Sequence, residues 1–293
     1  MKKLLTLGLI TGLFANVSLS ATVTNVAENT NKTENLSKEK DFGIKFDFKK
    51  RVALVTGGTS GIGLATAQLL VKSNCNVVIV GHDPKKANVA DKITKEYAKN
   101  GVKCLYFKAD VADPKDAKKA VEFTVQKFGS LDFLVCSAGI GGDNNTIDKE
   151  TPENFNKVMN VDLNGTVWFN KYATEQMLKQ GNGGAIVNVS SMFGIVAVPD
   201  NVAYSTAKGA INNLTRAGVK YADKGIRVNC VCPGVIDTPL VPNEAKDFYA
   251  GLHPIKRIGS PDETAYPIVF LLSDASSFIT GAIISIDGGY IAV

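Results

Sequence analysis

The stretch that decides the fold lies early in the chain and reads Arg51-Val-Ala-Leu-Val-Thr-Gly-Gly-Thr-Ser-Gly-Ile-Gly63. Its first part, Arg51 to Thr56, is apolar and β-branched, as expected of a strand buried in a parallel sheet. Glycines then recur as Gly-x-x-x-Gly-x-Gly, and a helical pattern begins at Ile62. Glycine turns tightly and lets the backbone approach a pyrophosphate, while the following helix points N–H groups at the phosphates. A tight turn that binds nothing would also use glycine, but the order of strand, loop and helix favours a dinucleotide-binding loop.

Outward from this loop, strand-like and helix-like segments alternate along the chain. Strands are predicted at 51–56, 76–80, 102–109, 131–136, 185–189, 227–232 and 282–286. Helices are predicted at 62–73, 87–100, 114–128, 153–180 and 204–223. Short apolar strands that alternate with helices indicate an α/β fold of the Rossmann type, a doubly wound parallel sheet with helices on both faces. In such a sheet, ligands bind beyond the carboxyl ends of the strands.

The N-terminal part of the chain differs in composition from the remainder. Residues 1–20 combine a lysine pair, a short apolar run and small residues, which predicts a signal peptide. The apolar run is about half the ~20 residues that span a bilayer, so we expect no stable membrane span. An uncleaved anchor and a start codon placed too far upstream are the alternatives. Residues 21–49 are rich in Asn, Thr, Lys and Glu and predict a polar, flexible segment, whereas residues 50–293 predict one domain.

Composition excludes several classes of protein. The chain has 293 residues, of which 45% are hydrophobic and 21% are charged, so it is not disordered throughout. A net charge of +5 with scattered lysines and arginines does not indicate a nucleic-acid partner. Five cysteines, an odd number, do not indicate a disulfide framework, and two histidines without a Cys/His cluster do not indicate a metal site.

Two further segments carry chemically active side chains. Tyr204 and Lys208 are four residues apart in a predicted helix and therefore share one face. A lysine ammonium beside a phenol favours the phenolate, so Tyr204 could exchange a proton with a substrate oxygen near neutral pH. An exposed helix could also carry such a pair by chance. Ser191 follows the predicted strand 185–189 at the edge where this architecture binds ligands, although a serine there could simply hydrogen-bond its own turn.

Taken together, these motifs resemble the short-chain dehydrogenase/reductase family over residues 50–293. The resemblance rests on the glycine loop, Asp110-Val111, Ser191, Tyr204-x-x-x-Lys208, Arg227-Val-Asn229, Pro233-Gly234-x-x-x-Thr238 and Asp287-Gly288-Gly289. Members that look similar include 3-oxoacyl-carrier-protein reductases, glucose 1-dehydrogenases and cyclic-alcohol dehydrogenases. The resemblance implies an oxidoreductase that interconverts a secondary alcohol and a ketone by hydride transfer to or from a nicotinamide cofactor.

The resemblance also implies a role for each matching residue. Tyr204 would be the general acid/base, Lys208 would bind the nicotinamide ribose, and Ser191 would hydrogen-bond the reacting oxygen. Asp162 takes the position of the family's fourth catalytic residue. The implied cofactor-binding residues are Gly57, Thr59, Ser60, Gly61, Ile62, Gly63, His82, Asp110, Val111, Cys136, Ala138, Gly139, Tyr204, Lys208, Pro233, Gly234, Ile236 and Thr238.

Two positions depart from the family pattern. Cys136-Ser137-Ala138-Gly139 replaces the common Asn-Asn-Ala-Gly, so the hydrogen bonds that brace the neighbouring strands must differ. Asp162 replaces the usual asparagine of a Val-Asn-Leu-x-Gly run. A carboxylate accepts hydrogen bonds but cannot donate them as an amide does, and its charge favours protonated Lys208. We expect a slower or altered proton relay rather than an inactive enzyme.

The end of the second strand bears on the choice of cofactor. A carboxylate at position 81 would bind the ribose 2′-hydroxyl of NAD(H) and repel a 2′-phosphate, but the residue there is Gly81. His82 occupies a place where relatives that use NADP(H) often have arginine, and Lys85 and Lys86 follow it. Against a phosphate, Ser60 is not basic and Asp83 is near, and His82 could simply be a residue of a surface turn. The sequence therefore favours NADP(H), with NAD(H) as the alternative.

Two other classes of function fit parts of this pattern. A sensor on the same fold would bind NADP(H) without turnover, but it would have no need of the proton relay. An exported binding protein that has lost its cofactor would have no need of the glycine loop. A carrier-protein partner would favour a basic rim near the cleft, for which Lys246, Lys256 and Arg257 are candidates, although an ordinary solvated face would look the same.

The oligomeric state, the substrate and the cellular location are inferred only from the family resemblance and from the N-terminal sequence. The resemblance implies a homotetramer or homodimer, assembled through two long helices and the C-terminal strand, that acts on a small alcohol or ketone. Apolar residues in the segment 240–258 could line the substrate pocket or only pack on the core. The signal-like N-terminus indicates export to the periplasm. Cysteines that do not look paired, and the need for NADP(H), favour the cytoplasm as the alternative.

Overall fold

Seven runs of apolar and β-branched residues form one parallel sheet in the computed structural model, which describes residues 42–293. The strands are β1 (Val52–Thr56), β2 (Asn76–Gly81), β3 (Cys104–Lys108), β4 (Phe133–Cys136), β5 (Gly184–Val189), β6 (Ile226–Pro233) and β7 (Ile283–Ile286). Their spatial order is β3-β2-β1-β4-β5-β6-β7, and every neighbouring pair is parallel. The predicted doubly wound parallel sheet is confirmed.

Helices cover both faces of this sheet. They are α1 (Gly61–Lys72), α2 (Asn88–Tyr97), α3 (Pro114–Phe128), α4 (Pro152–Val158), α5 (Gly165–Gln180), α6 (Val202–Ala217), α7 (Lys246–Leu252) and α8 (Pro261–Leu272). Leu54 of β1 belongs to an apolar cluster with residues of α3 and α5. Val55 points to the opposite face and is equally buried, and α1 packs there against β1 and α8. The sequence pattern does not predict α7 and α8.

The strand order brings the functional candidates to one edge. The chain passes from β1 outward to β2 and β3, and then from β4 outward to β5 and β6. The loops after β1 and β4 therefore diverge and open a crevice at the carboxyl ends of these adjacent strands. The glycine loop, Gly139, Ser191 and Gly234 all follow strands at this edge.

The packed structure begins earlier than the predicted start of the domain. Phe48 is 1% exposed, and the centroid of its ring lies 5.1 Å from that of Phe133. Phe42 packs edge-on against Tyr266, with ring centroids 4.7 Å apart. The expectation that the whole segment 21–49 is flexible is wrong for its last residues, because their aromatic rings bury apolar area against the domain.

Two sequence predictions concern the N-terminus and the membrane. The predicted signal peptide, residues 1–20, lies outside the described residues, so export stays a prediction. Within residues 42–293, none of the helices combines the length and the apolar character that a bilayer crossing requires.

The Arg227-Val-Asn229 motif holds the end of α8 against β6. The Arg227 guanidinium donates to Leu271 O at 2.7 Å and to Ser273 O at 3.1 Å, at the C-terminus of α8. Carbonyl groups there have no partner within the helix, and a cation also favours the negative end of the helix dipole. Asn229 donates to Ile279 O at 2.8 Å, in the loop before β7. The motif is therefore part of the scaffold rather than of the cleft.

Loss of this guanidinium has a measurable consequence. We expect Arg227→Ala to lower the free energy of unfolding by about 2–4 kcal/mol, because several carbonyl groups lose a charged donor. Urea denaturation measures the change. Arg216→Ala is the matched control, since Arg216 lies on the surface of α6 beside Asn213, and we expect a change below about 0.5 kcal/mol. Equal effects of the two substitutions would contradict the role given to Arg227.

Candidate active site

The glycine loop is packed too closely for larger residues. Gly57 and Gly61 have φ angles of +65° and +52°, a region that favours glycine. A Cβ at Gly57 would lie 2.9 Å from Ala138 Cα, and a Cβ at Gly63 would lie 2.4 Å from Gly57 O. The loop therefore lies directly against the segment after β4, and α1 begins directly against the loop.

The N-terminus of α1 is open to an anion. Ser60 is at the N-cap position, but its hydroxyl accepts no hydrogen bond from the first turn, which carries no acidic residue. The helix dipole and the N–H groups of this turn, which includes Ile62, favour a phosphate. Thr238 lies beside the same turn, its methyl group 3.0 Å from the position of a Cβ on Gly61. The residues present here fit the pyrophosphate of a dinucleotide.

Ser191 lies two residues after β5, at the carboxyl edge of the sheet. Its side chain is buried, and Oγ accepts a hydrogen bond from Phe193 N at 3.1 Å. This contact with its own turn orients the hydroxyl and leaves its hydrogen for another acceptor. The neighbouring Ser190 donates to Lys208 O at 2.8 Å, which fixes the loop on α6.

Tyr204 and Lys208 lie on one face of α6, as predicted from their spacing. Lys208 Nζ lies 5.2 Å from the centroid of the Tyr204 ring. Lys208 is 4% exposed and donates to Val189 O at 3.3 Å, at the end of β5. Asn201 caps α6, since its side chain accepts from Tyr204 N at 3.4 Å and donates to Gly141 O at 3.2 Å. The helix that carries the phenol is thus anchored to the loops after β4 and β5.

Asp162 approaches Lys208 from a different helix. It lies on a π-helical segment, Met159–Asn164, that separates α4 from α5. Its carboxylate is fully buried, with Oδ2 3.2 Å from Lys208 Nζ and Oδ1 accepting from Ile140 N at 2.8 Å. A Cβ at Gly139 would lie 2.9 Å from Oδ2 and 3.3 Å from Nζ. Glycine at position 139 therefore leaves room for the ion pair.

This ion pair keeps Lys208 charged. Burial alone would lower the pKa of the Lys208 ammonium, but the Asp162 carboxylate and the Tyr204 phenol hold it above its usual value. Burial raises the pKa of the Asp162 carboxyl, while Lys208 and the Ile140 N–H oppose that rise. Opposite charges in contact favour the charged form of each partner. Lys208 therefore presents a positive charge to Tyr204.

Only part of the run that begins at Cys136 reaches the cleft. The Cys136 side chain is buried in the apolar cluster beneath α3 and α5, its sulfur 3.4 Å from Asn170 Nδ2. The side chain therefore points into the core, and contact of the Cys136 main chain with the cofactor ribose stays a prediction. Asn170 also donates to Asn188 Oδ1 at 2.8 Å. These two asparagines on α5 and β5 provide the bracing that the missing family asparagines would give.

Residues assigned to the nicotinamide and adenine follow β6 and β3. Pro233 ends β6, and Gly234 comes directly after it. Ile236 is buried and pairs in parallel with Gly259. Asp110 is exposed after β3, and its carboxylate accepts from the main chain two residues on, at 2.9 Å. Val111 comes next and packs against the first residue of α5. All of them lie at the carboxyl edge.

The end of β2 is closed to a larger side chain. A Cβ at Gly81 would lie 2.9 Å from Thr59 Cγ2 and 3.3 Å from Tyr106 Cε2. The Tyr106 hydroxyl lies 2.9 Å from the carbonyl oxygens of both Gly81 and Asp83. The Asp83 carboxylate accepts from the main chain two residues on, at 2.9 Å. His82 is exposed between them.

Sequence reasoning missed three residues that hold the site together. Thr56 Oγ1 accepts from the N–H groups of Ser137 at 3.1 Å and Ala138 at 3.2 Å, joining β1 to the loop after β4. Asn201 caps α6, and His253 packs against the segment after β6. Two of them carry a signal: Thr56 is the one polar residue of an apolar strand, and Asn201 precedes a helix as N-caps do.

Comparisons with known proteins agree with this geometry. Residues 57–291 match the family model described as "Enoyl-(Acyl carrier protein) reductase". A cis-4-hydroxycyclohexanecarboxylate dehydrogenase of Sinomonas cyclohexanicum is 42% identical over 250 residues, which cover 84% of this chain and 98% of that protein. A cyclohexanol dehydrogenase of Acinetobacter sp. (strain SE19) is 40% identical over 244 residues, which cover 83% of this chain and 96% of that protein.

Solved structures are similar over the same part of the chain. ElxO with NADP bound has a TM-score of 0.78 and 34% identity, covering 83% of this chain and 100% of its own. Levodione reductase has a TM-score of 0.80 and 32% identity, covering 85% of this chain and 100% of its own. The family match and the relatives each span most of the chain, so the resemblance is confirmed: the chain belongs to the short-chain dehydrogenase/reductase family.

Proposed function

We propose that the chain is an NAD(P)(H)-dependent oxidoreductase that interconverts a secondary alcohol and a ketone, with Tyr204 as the group that transfers the proton. One observation carries the proposal. The buried ammonium of Lys208 lies 5.2 Å from the Tyr204 ring centroid, at the sheet edge that also carries Ser191. A phenol held beside a fixed cation is placed to act as a general acid/base on a substrate oxygen.

Each residue has a distinct part in this reaction. The nicotinamide supplies or accepts the hydride when the cofactor is bound. In reduction, the Tyr204 hydroxyl donates its proton to the ketone oxygen, while the Ser191 hydroxyl donates a hydrogen bond to the same oxygen. Lys208 stabilises the phenolate left behind and would also bind the ribose hydroxyls. In oxidation, the phenolate takes the proton from the alcohol.

A non-catalytic NADP(H)-binding sensor on the same fold is the alternative. The ion pair of Lys208 with Asp162 argues against it. Burying two charges is unfavourable unless they are well paired, and a sensor that only binds the cofactor has no use for the Tyr204 phenol beside that charge. Reduction of ketones with NADPH separates the two functions, because a sensor would bind NADPH and leave it unoxidised.

The groups around the end of β2 support NADP(H). In this architecture an aspartate or glutamate at the end of β2 binds the 2′-hydroxyl of NAD(H), but the residue here is Gly81. Thr59 and Tyr106 pack closely against Gly81 and leave little room for a larger side chain. The Asp83 carboxylate is engaged with the following turn. His82 is exposed directly after β2, where relatives that use NADP(H) often have arginine, and the solved relative ElxO has NADP bound. NAD(H) is the alternative cofactor.

The chemistry of the cleft supports a substrate with an apolar ring. Exposed apolar side chains come from two segments at the carboxyl edge: Ile195 and Val196 after Ser191, and Leu240, Phe248 and Leu252 in the segment after β6 that includes α7. The two curated relatives are named for a cyclohexanol and a hydroxycyclohexanecarboxylate. We therefore propose a cyclic secondary alcohol and its ketone as the substrate pair.

The basic residues considered for a carrier-protein partner have other roles. Lys246 lies 2.6 Å from the Asp237 carboxylate, and Arg257 forms a two-point ion pair with Glu263. Lys256 donates to a main-chain carbonyl. The charges of Lys246 and Arg257 are thus compensated within the chain, which favours a small substrate over a carrier-bound acyl group.

The proposals for the oligomeric state and the cellular location rest mainly on the sequence. Phe278 and Val293 are almost fully exposed near the C-terminal strand, and Phe270 of α8 is also exposed. Exposed apolar residues of this kind support a homotetramer or homodimer that uses this surface. Residues 1–20 are proposed to direct export to the periplasm. The alternative is a cytoplasmic location, which the five free, buried cysteines support.

Replacement of the phenol separates binding from chemistry. We expect Tyr204→Phe to bind NADPH within about threefold of the wild-type affinity and to lower kcat for cyclohexanone reduction about 1,000-fold, because the proton donor is lost. Fluorescence titration and NADPH oxidation measure the two effects. Tyr221→Phe is the control, since Tyr221 packs against the core cluster beneath α3 and α5. Wild-type turnover in Tyr204→Phe would refute the proposed function.

The charge of Asp162 sets the alkaline limit of activity. Asp162 raises the pKa of the Lys208 ammonium, so in Asp162→Asn burial dominates and Lys208 loses its proton at lower pH. We expect the alkaline limb of kcat/KM for ketone reduction to move to lower pH in this variant. Asp274→Asn, which removes a surface carboxylate paired with Arg51, leaves the profile in place. An unchanged profile in Asp162→Asn would remove Asp162 from the mechanism.

The proposed preference for NADP(H) can be measured as the ratio of the affinities for NADPH and NADH. We expect NADPH to bind about tenfold more tightly than NADH, because a phosphate gains a histidine and nearby lysines. His82→Ala should narrow the ratio to below about threefold through weaker NADPH binding alone. Fluorescence titration with both cofactors gives the ratio, and the NADH affinity is the internal control. Tighter binding of NADH to the wild-type protein would reverse the proposal.

A further inference from the structure

We propose that His253 is a positioning residue that couples α7 to the main chain that flanks the nicotinamide, an inference that rests on the proposed function. His253 directly follows α7, as its C-cap. It is 2% exposed, although it lies in a loop. Neither the glycine loop nor the pair of Tyr204 and Lys208 accounts for a histidine buried at this place.

The two ring nitrogens of His253 bind two separate segments. Nδ1 lies 2.7 Å from Tyr249 O, within α7. Val235 N donates to Nε2 at 3.2 Å, in the segment directly after β6. A carbonyl oxygen can only accept and an amide can only donate, so the ring carries its hydrogen on Nδ1 and is neutral. The imidazole is thus a hydrogen-bonded bridge between two main chains.

Close packing fixes the position of this bridge. A Cβ at Gly234 would lie 2.8 Å from His253 Nε2 and 2.9 Å from Asp287 Cα. The ring centroid of His253 lies 5.6 Å from that of Tyr290, which in turn lies 6.2 Å from Phe193, two residues after Ser191. The imidazole therefore lies where α7, the segment after β6 and the C-terminal residues meet.

The consequence for the site follows from the neighbours of Val235. Gly234 and Ile236, on either side of it, belong to the residues assigned to the nicotinamide. The segment that contains α7 also carries Leu240, whose Cδ1 lies 3.8 Å from the position of a Cβ on Gly141, across the cleft. Displacement of α7 from the cleft must therefore break one of the two hydrogen bonds of the imidazole or shift Val235. The imidazole therefore couples the position of α7, beside the substrate, to that of residues 234–236, beside the nicotinamide.

Two amide variants separate the two hydrogen bonds. In His253→Gln the amide oxygen can take the place of Nε2 and keep the bond from Val235 N. In His253→Asn the shorter amide can take the place of Nδ1 and keep the bond to Tyr249 O, but it cannot reach Val235. The full-length chain and both variants are titrated with NADPH by fluorescence, and KM and kcat for cyclohexanone are measured at saturating NADPH. Ile93→Val, a buried change in α2, is the control for altered stability.

We expect the two variants to differ in their Kd for NADPH but not in their KM for cyclohexanone. The Kd for NADPH stays within about twofold of wild type in His253→Gln and rises about tenfold in His253→Asn, because only the latter leaves the Val235 N–H without its acceptor. Both variants raise the KM for cyclohexanone about tenfold with kcat within about threefold, because either loss uncouples α7. A common loss of stability would not divide the two variants in this way.

Other results overturn it. Equal Kd values for NADPH in the two variants, or an unchanged KM in both, would show that His253 only fills space. If the wild-type chain binds NADPH but reduces no ketone, the proposed function fails while the Kd comparison still tests the Val235 bond. If it does not bind NADPH at all, both proposals are wrong.

Discussion

The contacts of the buried Lys208 ammonium tie together the strands and helices that form the candidate site. Removing a charge from water costs several kcal/mol unless partners replace the solvent. Here the partners come from separate elements: Val189 O at the end of β5, Asp162 on the segment between α4 and α5, and the Tyr204 ring on α6. These elements must be in place together for the buried charge to be stabilised, so the geometry of the candidate site depends on the packing of this edge. Gly139 belongs to this constraint, because a side chain there would occupy the space of the ion pair.

The replacement of asparagine by Asp162 changes what this arrangement can do. An amide at that position would leave Lys208 with no opposite charge among the described groups that contact it, and burial would then work against its protonated state. The carboxylate keeps the cation charged and reduces its net field at the phenol. The site therefore gains a persistent charge beside Tyr204 and loses an amide donor. The altered proton relay expected from the sequence stays a prediction, and this ion pair is the physical basis for it.

Much of the fold could be predicted because its signals are local. Strand periodicity, the glycine spacing and the four-residue spacing of Tyr204 and Lys208 each depend on neighbours in the chain. Helix α8 escaped prediction because Pro267 interrupts its pattern and apolar residues surround it, although the capping box of Ser260 and Glu263 marks its start. The contact of Asp162 with Lys208 joins residues far apart in sequence, and no local pattern reports it. His253 was missed for the same reason. The motif assigns Cys136 to the cofactor, but a motif does not show which way a side chain points, and this one faces the core.

A crystal structure of the chain with NADP⁺ and cyclohexanol tests the central claim most directly. We expect Lys208 Nζ to remain beside Asp162 and to lie within about 3.2 Å of a ribose hydroxyl. We also expect the hydroxyls of Tyr204 and Ser191 both to lie within about 3 Å of the alcohol oxygen. A structure in which Lys208 has left Asp162, or in which the Tyr204 hydroxyl lies away from the nicotinamide ring, would contradict it.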